Sequence, residues 1–225
     1  MTSRRIASLE LAGERALLRP HRPEDGRAAY DLLAGHEEIL RWLVWNGPAS
    51  VEEMREHYRT WHVHDSGRHE LRLAIEERAS GLFAGSMALR MGMAADFAFG
   101  SGAATTADVG YWIGTDFQGR GLGRDALALL AHLAFGHLAT TALHAWVFVG
   151  NVASRRVLEL TGFTLVRTVP RGTIKQGQAI DEWQFALLER DWRRLRRDFR
   201  PQWEEVVWED ELGAPRSATS AAPGG

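Results

Sequence analysis

Gln118-Gly119-Arg120-Gly121-Leu122-Gly123 constrains this chain more than any other segment. It follows an apolar, strand-like stretch, Asp108-Val109-Gly110-Tyr111-Trp112-Ile113, and precedes a long apolar helical run from about Leu122 to Leu138. Glycines at these intervals let successive backbone N–H groups converge on one point with no side chain in the way. The helix behind them adds its unpaired first amides and the positive end of its dipole. A strand, an open turn and a helix in that order can cradle a pyrophosphate, and Arg120 and Arg124 would add direct charge to its oxygens. The same spacing also serves as a tight turn with no ligand.

Two common phosphate-binding folds do not fit. A phosphate loop of the Walker kind ends in Gly-Lys-Ser/Thr, and this turn holds no lysine. A dinucleotide fold needs G-x-G-x-x-G after the first strand of a parallel sheet, with an acid about 20 residues on. Here the glycines run G-x-G-x-G, the strands ahead alternate as in antiparallel hairpins, and Thr140 to Val149 contains no acid.

The rest of the chain reads as one mixed α/β domain. Ala16 to Arg19 is a short strand stopped by Pro20, and Pro23-Glu24-Asp25 opens a helix. Two short helices broken near Gly35 follow, then a helix capped by Ser50 with Glu53 at capping-box spacing. Leu71, Leu73 and Ile75 alternate with Arg72, Ala74 and Glu76, predicting a half-buried strand, with Leu82 to Arg90 as its hairpin partner. Residues 91–104 are rich in Gly, Ala and Ser and read as a mobile loop. Beyond the turn the spacing predicts a strand over 143–149, a helix over 153–160, strands over 163–169 and 179–187, and a charged helix over 189–200. The expected organisation is an N-terminal arm at 1–14, a domain at 15–200 and a C-terminal extension at 201–225. At least part of that extension is too poor in apolar residues to order itself.

Composition narrows the function class. With a net charge of −2 over 225 residues, the chain lacks the cationic excess that drives phosphate-backbone binding, so no direct nucleic-acid partner is expected. No apolar run approaches the roughly 20 residues of a membrane span, and no signal sequence is evident. Cysteine is absent, which removes disulfides, thiolate metal sites and a thiol nucleophile, and fits a reducing compartment. A cytoplasmic protein is expected. His57, His62 and His64 are near neighbours without metal-ligand spacing, so no metal is expected.

At Gln118 to Gly123 the sequence resembles the GNAT superfamily of acyl-CoA-dependent N-acyltransferases, matching each fixed position of Q/R-x-x-G-x-G/A. Asp108 to Ile113 is similar to the preceding strand of its ribosomal-protein N-terminal acetyltransferase (RimJ/RimL-like) branch. Asn151-x-x-Ser154-x-x-x-Leu158-Glu159-x-x-Gly162-Phe163 is similar to the stretch after that branch's next strand. Leu18-Arg19-Pro20 with Glu24-Asp25, Asp181-Glu182-Trp183 and Asp191-Trp192 extend the likeness over roughly residues 15 to 192. The fold this implies is α/β mixed (α+β): a twisted, mostly antiparallel sheet of about seven strands with helices on both faces. The implied reaction is direct attack of an amine on the thioester of acetyl-CoA, the co-substrate, without a metal.

The resemblance also implies roles. The amides of Gly119, Arg120, Gly121, Leu122 and Gly123 would hold the pyrophosphate, with Gln118 and Arg124 beside them. Ile113 and Thr115 belong to the strand end that would pair with the pantetheine arm. Asn151 would contact that arm, or simply cap the following helix. Ser154 would protonate the leaving thiolate, because position 158, where other branches carry tyrosine, is leucine. Asp108 would act as general base, with His69, Glu70, His132 and His144 as alternatives. His132 and His137 fall on the long helix, where a core or surface role is expected. Trp42, Trp45 and Trp61 would line an acceptor groove or staple helices to the sheet. The Arg193 to Arg197 run, interleaved with acids, reads as a solvated face. The acceptor would be a peptide or protein N-terminus or a small amine, with a homodimer allowed. The rival function is a non-catalytic acyl-CoA-binding module that keeps the cradle and lacks the acid and base.

Overall fold

The computed structural model describes residues 4–61, 64–65, 70–92, 105–210 and 215–216. The strands are β1 (Arg4–Ala12), β2 (Ala16–Arg19), β3 (His64–Asp65), β4 (Glu70–Glu77), β5 (Leu82–Met91) and β6 (Thr105–Ile113), then β7 (Thr140–Phe148), β8 (Thr164–Lys175), β9 (Gln178–Leu188), β10 (Trp203–Asp210) and β11 (Pro215–Arg216). The helices are α1 (Asp25–Leu33), α2 (Glu37–Leu40), α3 (Val51–Thr60), α4 (Leu122–His137), α5 (Val152–Thr161) and α6 (Glu189–Leu195). Of the mobile loop expected at 91–104, residues 93–104 lie outside the described residues, as does nearly all of the tail from Gly213. No helix among the described residues is long and apolar enough to cross a membrane.

All strands join one sheet in the order β11-β10-β1-β2-β4-β5-β6-β7-β9-β8, with β3 on β4. Its pairings are antiparallel except β6 with β7, which α4 connects as a crossover. Among the described residues the sheet therefore has eleven strands where about seven were expected. The additions are β1, β10 and β11 at one edge and the two-residue β3. Residues 4–12, expected as a loose arm, pair with residues 203–210 of the expected extension. A register shift between Ile6 and Ser8 breaks the alternation of β1, which hides the strand from a period-two reading. Glu189 to Arg200 was expected as one helix, but α6 ends at Leu195, and the Arg196 guanidinium donates to the Leu160 carbonyl at 2.8 Å.

One face of the sheet packs on α4, whose Leu127, Leu130 and Leu133 are fully buried with Leu73, Leu89, Leu143 and Phe185. The other face carries α1 and α3, with Ala29, Met54 and Tyr58 packed on Phe83 and Trp112. Helices thus lie on both faces, as expected. Ser50 caps α3 by accepting the Glu53 N–H at 3.1 Å, while Glu53 accepts the Ala49 N–H at 2.7 Å. Asn151 caps α5, and Gly162, at φ +112°, closes its C-terminus by donating to Leu158 and Glu159.

Two polar clusters fasten this frame. The Arg19 guanidinium, 3% exposed, forks onto Asp25 at 2.7 and 2.8 Å and donates to Glu76 at 2.7 Å. Burial works against its charge, yet hydrogen bonds and charge from Asp25 and Glu76 hold its pKa above the ordinary value. At the far end of α4, His132 and His137 both bond the Glu204 carboxylate of β10, His132 at 2.9 Å. This places His132 in a structural clasp, more than two turns beyond the glycine turn. One nitrogen of each imidazole and a carboxylate oxygen of Glu204 all lie within 4.8 Å of one another.

Candidate functional site

Parallel pairing between β6 and β7 stops at Val109 opposite Ala145, though both strands continue. Each is held by its outer neighbour: β5 pairs β6 as far as Ile113, and β9 pairs β7 as far as Phe148. Two adjacent strands that keep their outer ladders but lose their shared one must part. The gap leaves backbone N–H and C=O groups of residues 110–113 and 146–148 facing each other across a cleft. Gly85 tightens the outer ladder there, since a Cβ on it would stand 2.2 Å from the Trp112 carbonyl oxygen.

The glycine turn lies just beyond the cleft. A single 3-10 turn, Thr115–Phe117, leads into it, and the Gln118 side-chain Nε2 donates back to the Ile113 carbonyl at 2.8 Å, bracing the turn. Gly119 and Gly121 have φ of +74° and +80°, which only glycine adopts readily. No side chain caps α4, and the Asp125 N–H donates to the carbonyl of its N-cap residue Gly121 at 3.1 Å. The amides of Leu122, Gly123 and Arg124 therefore have no acceptor within the helix. A Cβ on Gly119 would meet nothing within 4 Å, and one on Gly123 would touch Ile113 and Val157 at ordinary contact distances.

Arginines surround the turn. Arg15, from the β1–β2 hairpin, runs 3.4 Å from where a Gly121 Cβ would stand. It is fixed there because the Asp125 carboxylate in the first turn of α4 accepts the Arg15 and Ala16 amides at 2.7 and 2.9 Å. Sequence reasoning missed Arg15, which is far from the turn along the chain. Arg120 turns toward Glu77 at 3.1 Å and the Asp116 carbonyl. Arg124 is exposed, and with burial as the larger cause its charge lowers the pKa of Arg196.

The two expected catalytic groups lie on opposite faces of β6. Tyr111 points to the α4 side, where its hydroxyl is 3.1 Å from Ser154 Oγ. Burial pushes the Tyr111 pKa up to about 12, although the Ser154 hydrogen bond pulls it down. Ser154 donates its own amide to Asn151 Oδ1 at 3.1 Å, so the asparagine does cap α5. Tyr111 is a second hydroxyl at the cleft that the sequence reading passed over. The turn, Ile113, Thr115, Asn151 and Ser154 thus gather around the mouth of the cleft on one side.

Asp108 stands on the other face, opposite Arg90 on β5 and His144 on β7. Burial raises its pKa, while His144, Arg90 and a hydrogen bond from Trp146 oppose the rise. His144 is buried and held below the usual histidine range by desolvation, with Asp108 working the other way. Of the other expected bases, Glu70 is bonded to Arg72 at 2.6 Å, and His69 lies outside the described residues.

The expected acceptor aromatics divide. Trp61 is a staple, edge-on to His21 at 5.2 Å with Arg72 over its ring at 4.2 Å, and His57 stacks on it at 6.0 Å. Trp42 lies near Gly150, just past the end of β7, where a Cβ on that glycine would stand 3.6 Å from its ring, and Trp45 is 39% exposed. The segment that carries them is tied down by Lys175 at the tip of the β8–β9 hairpin. Its ammonium donates to the Leu43 carbonyl at 2.6 Å and to Asn46 Oδ1 at 3.1 Å. His62 lies outside the described residues, as does the side chain of His64. In the Arg193 to Arg197 run, Arg193, Arg194 and Arg197 are exposed, with Arg193 paired to Glu189 and Arg194 to Asp191, while Arg196 is half-buried against Leu160.

Residues 15–164 match the family model described as an acetyltransferase (GNAT) domain. The chain is 34% identical over 86 residues to YdaF of Bacillus subtilis (strain 168), named as a ribosomal N-acetyltransferase, which covers 38% of this chain and 47% of that protein. The aligned segment spans about half the length of the curated relatives it matches. Among solved structures, Mycobacterium smegmatis RimJ in complex with CoA-disulfide superposes with a TM-score of 0.66 at 22% identity, over 83% of this chain and 88% of that one. A GCN5-related N-acetyltransferase from Brucella melitensis gives 0.67 at 20% identity, over 88% and 86%. The parted parallel strands, the uncapped glycine turn and this match over most of the described domain make the chain a member of the GNAT acetyltransferase domain family.

Proposed function

We propose that this protein is an N-acetyltransferase that moves an acetyl group from acetyl-CoA to a primary amine held in the same cleft. Peptide or protein N-termini come first as acceptors, with small amines next. One observation carries the reading: β6 and β7 part next to a helix N-terminus whose amides are uncapped. The open space at Gly119 and the arginines around it suit a diphosphate, so the residues present fit coenzyme A. YdaF is named as a ribosomal N-acetyltransferase and RimJ was solved with a CoA-disulfide, which supports the same choice.

In this proposal the amides of Gly119 to Gly123 hold the pyrophosphate, with Arg15 and Arg124 adding charge. Backbone groups of Ile113 and Thr115 receive the pantetheine arm, and Asn151 caps α5 beside it. Acetyl-CoA supplies an acyl group already activated as a thioester. Asp108, whose raised pKa makes it a better proton acceptor than an ordinary surface carboxylate, takes a proton from the acceptor ammonium through water. Ser154 gives a proton toward the departing sulfur, with Tyr111 beside it. The catalytic unit spans residues 15–200, with β1 and β10 as an added sheet edge. The absence of cysteine fits work in a reducing cytoplasm.

Calorimetry with coenzyme A, followed by thiol-release assays with acetyl-CoA and a panel of amines, tests this. Binding with turnover that falls in Asp108→Ala and Ser154→Ala supports the transferase. Tight binding with no amine acetylated supports a cofactor-sensing module instead, and no heat of binding overturns both.

A further inference from the structure

Gly110 is the first residue of β6 beyond the point where β7 leaves it, and it lies on the same face as Asp108. The guanidinium of Arg90, on β5, lies across it: a Cβ on Gly110 would stand 3.0 Å from Arg90 Nη2. Arg90 is opposite Asp108 in register and half-buried. Among the described residues it has no hydrogen bond or ion pair, only its longer-range attraction to Asp108. A cation drawn from water with no bonded carboxylate is unusual, because its desolvation is normally offset by pairing. Trp112 on β6 and Trp146 on β7 extend along the same face, and Trp146 is 38% exposed.

We infer that Arg90 recognises an anionic group on the acceptor, so that this enzyme selects amines carrying a carboxylate close to the reacting nitrogen. Peptides with an acidic residue next to the N-terminus are the leading class. The inference rests on the transferase reading above and adds the substrate's charge. The cofactor's own phosphates are out of range, since Gly110 to Ile113 alone spans about 10 Å before the glycine turn begins. Arg90 has a second effect at this place: its charge disfavours an ammonium beside it and so favours the neutral, nucleophilic amine. A polyamine or an aminoglycoside would meet this cation without a matching anion.

The test is a matched acceptor pair assayed on the full chain with saturating acetyl-CoA: a peptide beginning Ser-Asp and its Ser-Asn counterpart. A free amino acid and its amide separate side-chain from main-chain carboxylates. The acidic peptide should exceed the amide by about tenfold or more in kcat/KM, the scale of one charge-assisted hydrogen bond. In Arg90→Gln that ratio should fall to near one, and in Arg90→Lys it should be intermediate. Equal rates for the pair in the unaltered chain, or a ratio unchanged in Arg90→Gln, overturn the inference. The same peptides titrated calorimetrically into CoA-saturated protein read recognition without turnover, and equal affinities there overturn it as well. Failure to bind coenzyme A would instead sink the transferase assignment, since Arg90 is remote from the glycine turn.

Discussion

Replacing Asp25 with alanine should cost about 3–5 kcal/mol of folding stability, a large share of the roughly 5–15 kcal/mol a domain has. The figure follows from what the carboxylate holds. It accepts two parallel bonds from Arg19, at 2.7 and 2.8 Å, and the Arg22 amide at 2.8 Å. Arg19 is 3% exposed, so its guanidinium cannot turn to water when Asp25 is removed. Glu76 at 2.7 Å and the Pro20 carbonyl at 3.0 Å would remain as its partners. Urea unfolding at neutral pH measures the loss. Arg19→Met should also destabilise, by stranding two carboxylates, and Arg19→Met with Asp25→Leu should cost less than the two single changes summed. A loss under about 1 kcal/mol for Asp25→Ala, or strict additivity in that cycle, would refute the claim that the pair is an obligatory buried unit.

Gly121→Glu should abolish coenzyme A binding by calorimetry while urea unfolding shows a retained fold, because it adds bulk, strain at φ +80° and negative charge to the turn. Gly85→Ala should cost about 1–3 kcal/mol and also weaken coenzyme A binding, because its Cβ would stand 2.2 Å from the Trp112 carbonyl oxygen and push β5 from β6 beside the cleft; an unchanged urea midpoint would refute it. Glu204, held at about 2 by hydrogen bonds from His132 and His137, adds stability that is fully present above its ordinary value of 4.5 and is lost as pH falls through about 2. Allowing for part exposure this is about 1–2 kcal/mol, and Glu204→Gln should flatten the acid limb of stability between those values. Asp108→Asn should lower kcat by about a hundredfold or more, and remove a rate limb lying above the ordinary carboxylate range, since burial raises the Asp108 pKa.

Sequence alone determined the elements whose signals are local. The period-two run at Leu71, Leu73 and Ile75 became β4, and the Ser50–Glu53 cap became the start of α3. The glycines of 119–123 became an uncapped turn with two left-handed residues, because that conformation is dictated by the missing Cβ itself. Asn151 and Gly162 mark both ends of α5 for the same kind of reason: each satisfies amides or carbonyls within a few residues of itself.

What the tertiary structure decided is everything that depends on partners distant along the chain. Strand β1 needed β10, some two hundred residues away, and its bulge erased the alternation that would have announced it. Arg15 reaches the glycine turn only because Asp125 binds the hairpin that carries it. Lys175 fastens the segment carrying Trp42 and Trp45 across 132 residues of chain. The parting of β6 from β7 has no letter of its own, since both strands run on past the point where their shared ladder stops. It arises where two outer ladders persist and the inner one stops, and that register also sets Asp108 and Ser154 on opposite faces and lays Arg90 across Gly110. Backbone preference acts over a few residues and can be read in one dimension; pairing register and the charges it brings together are fixed only once the sheet has closed around its core.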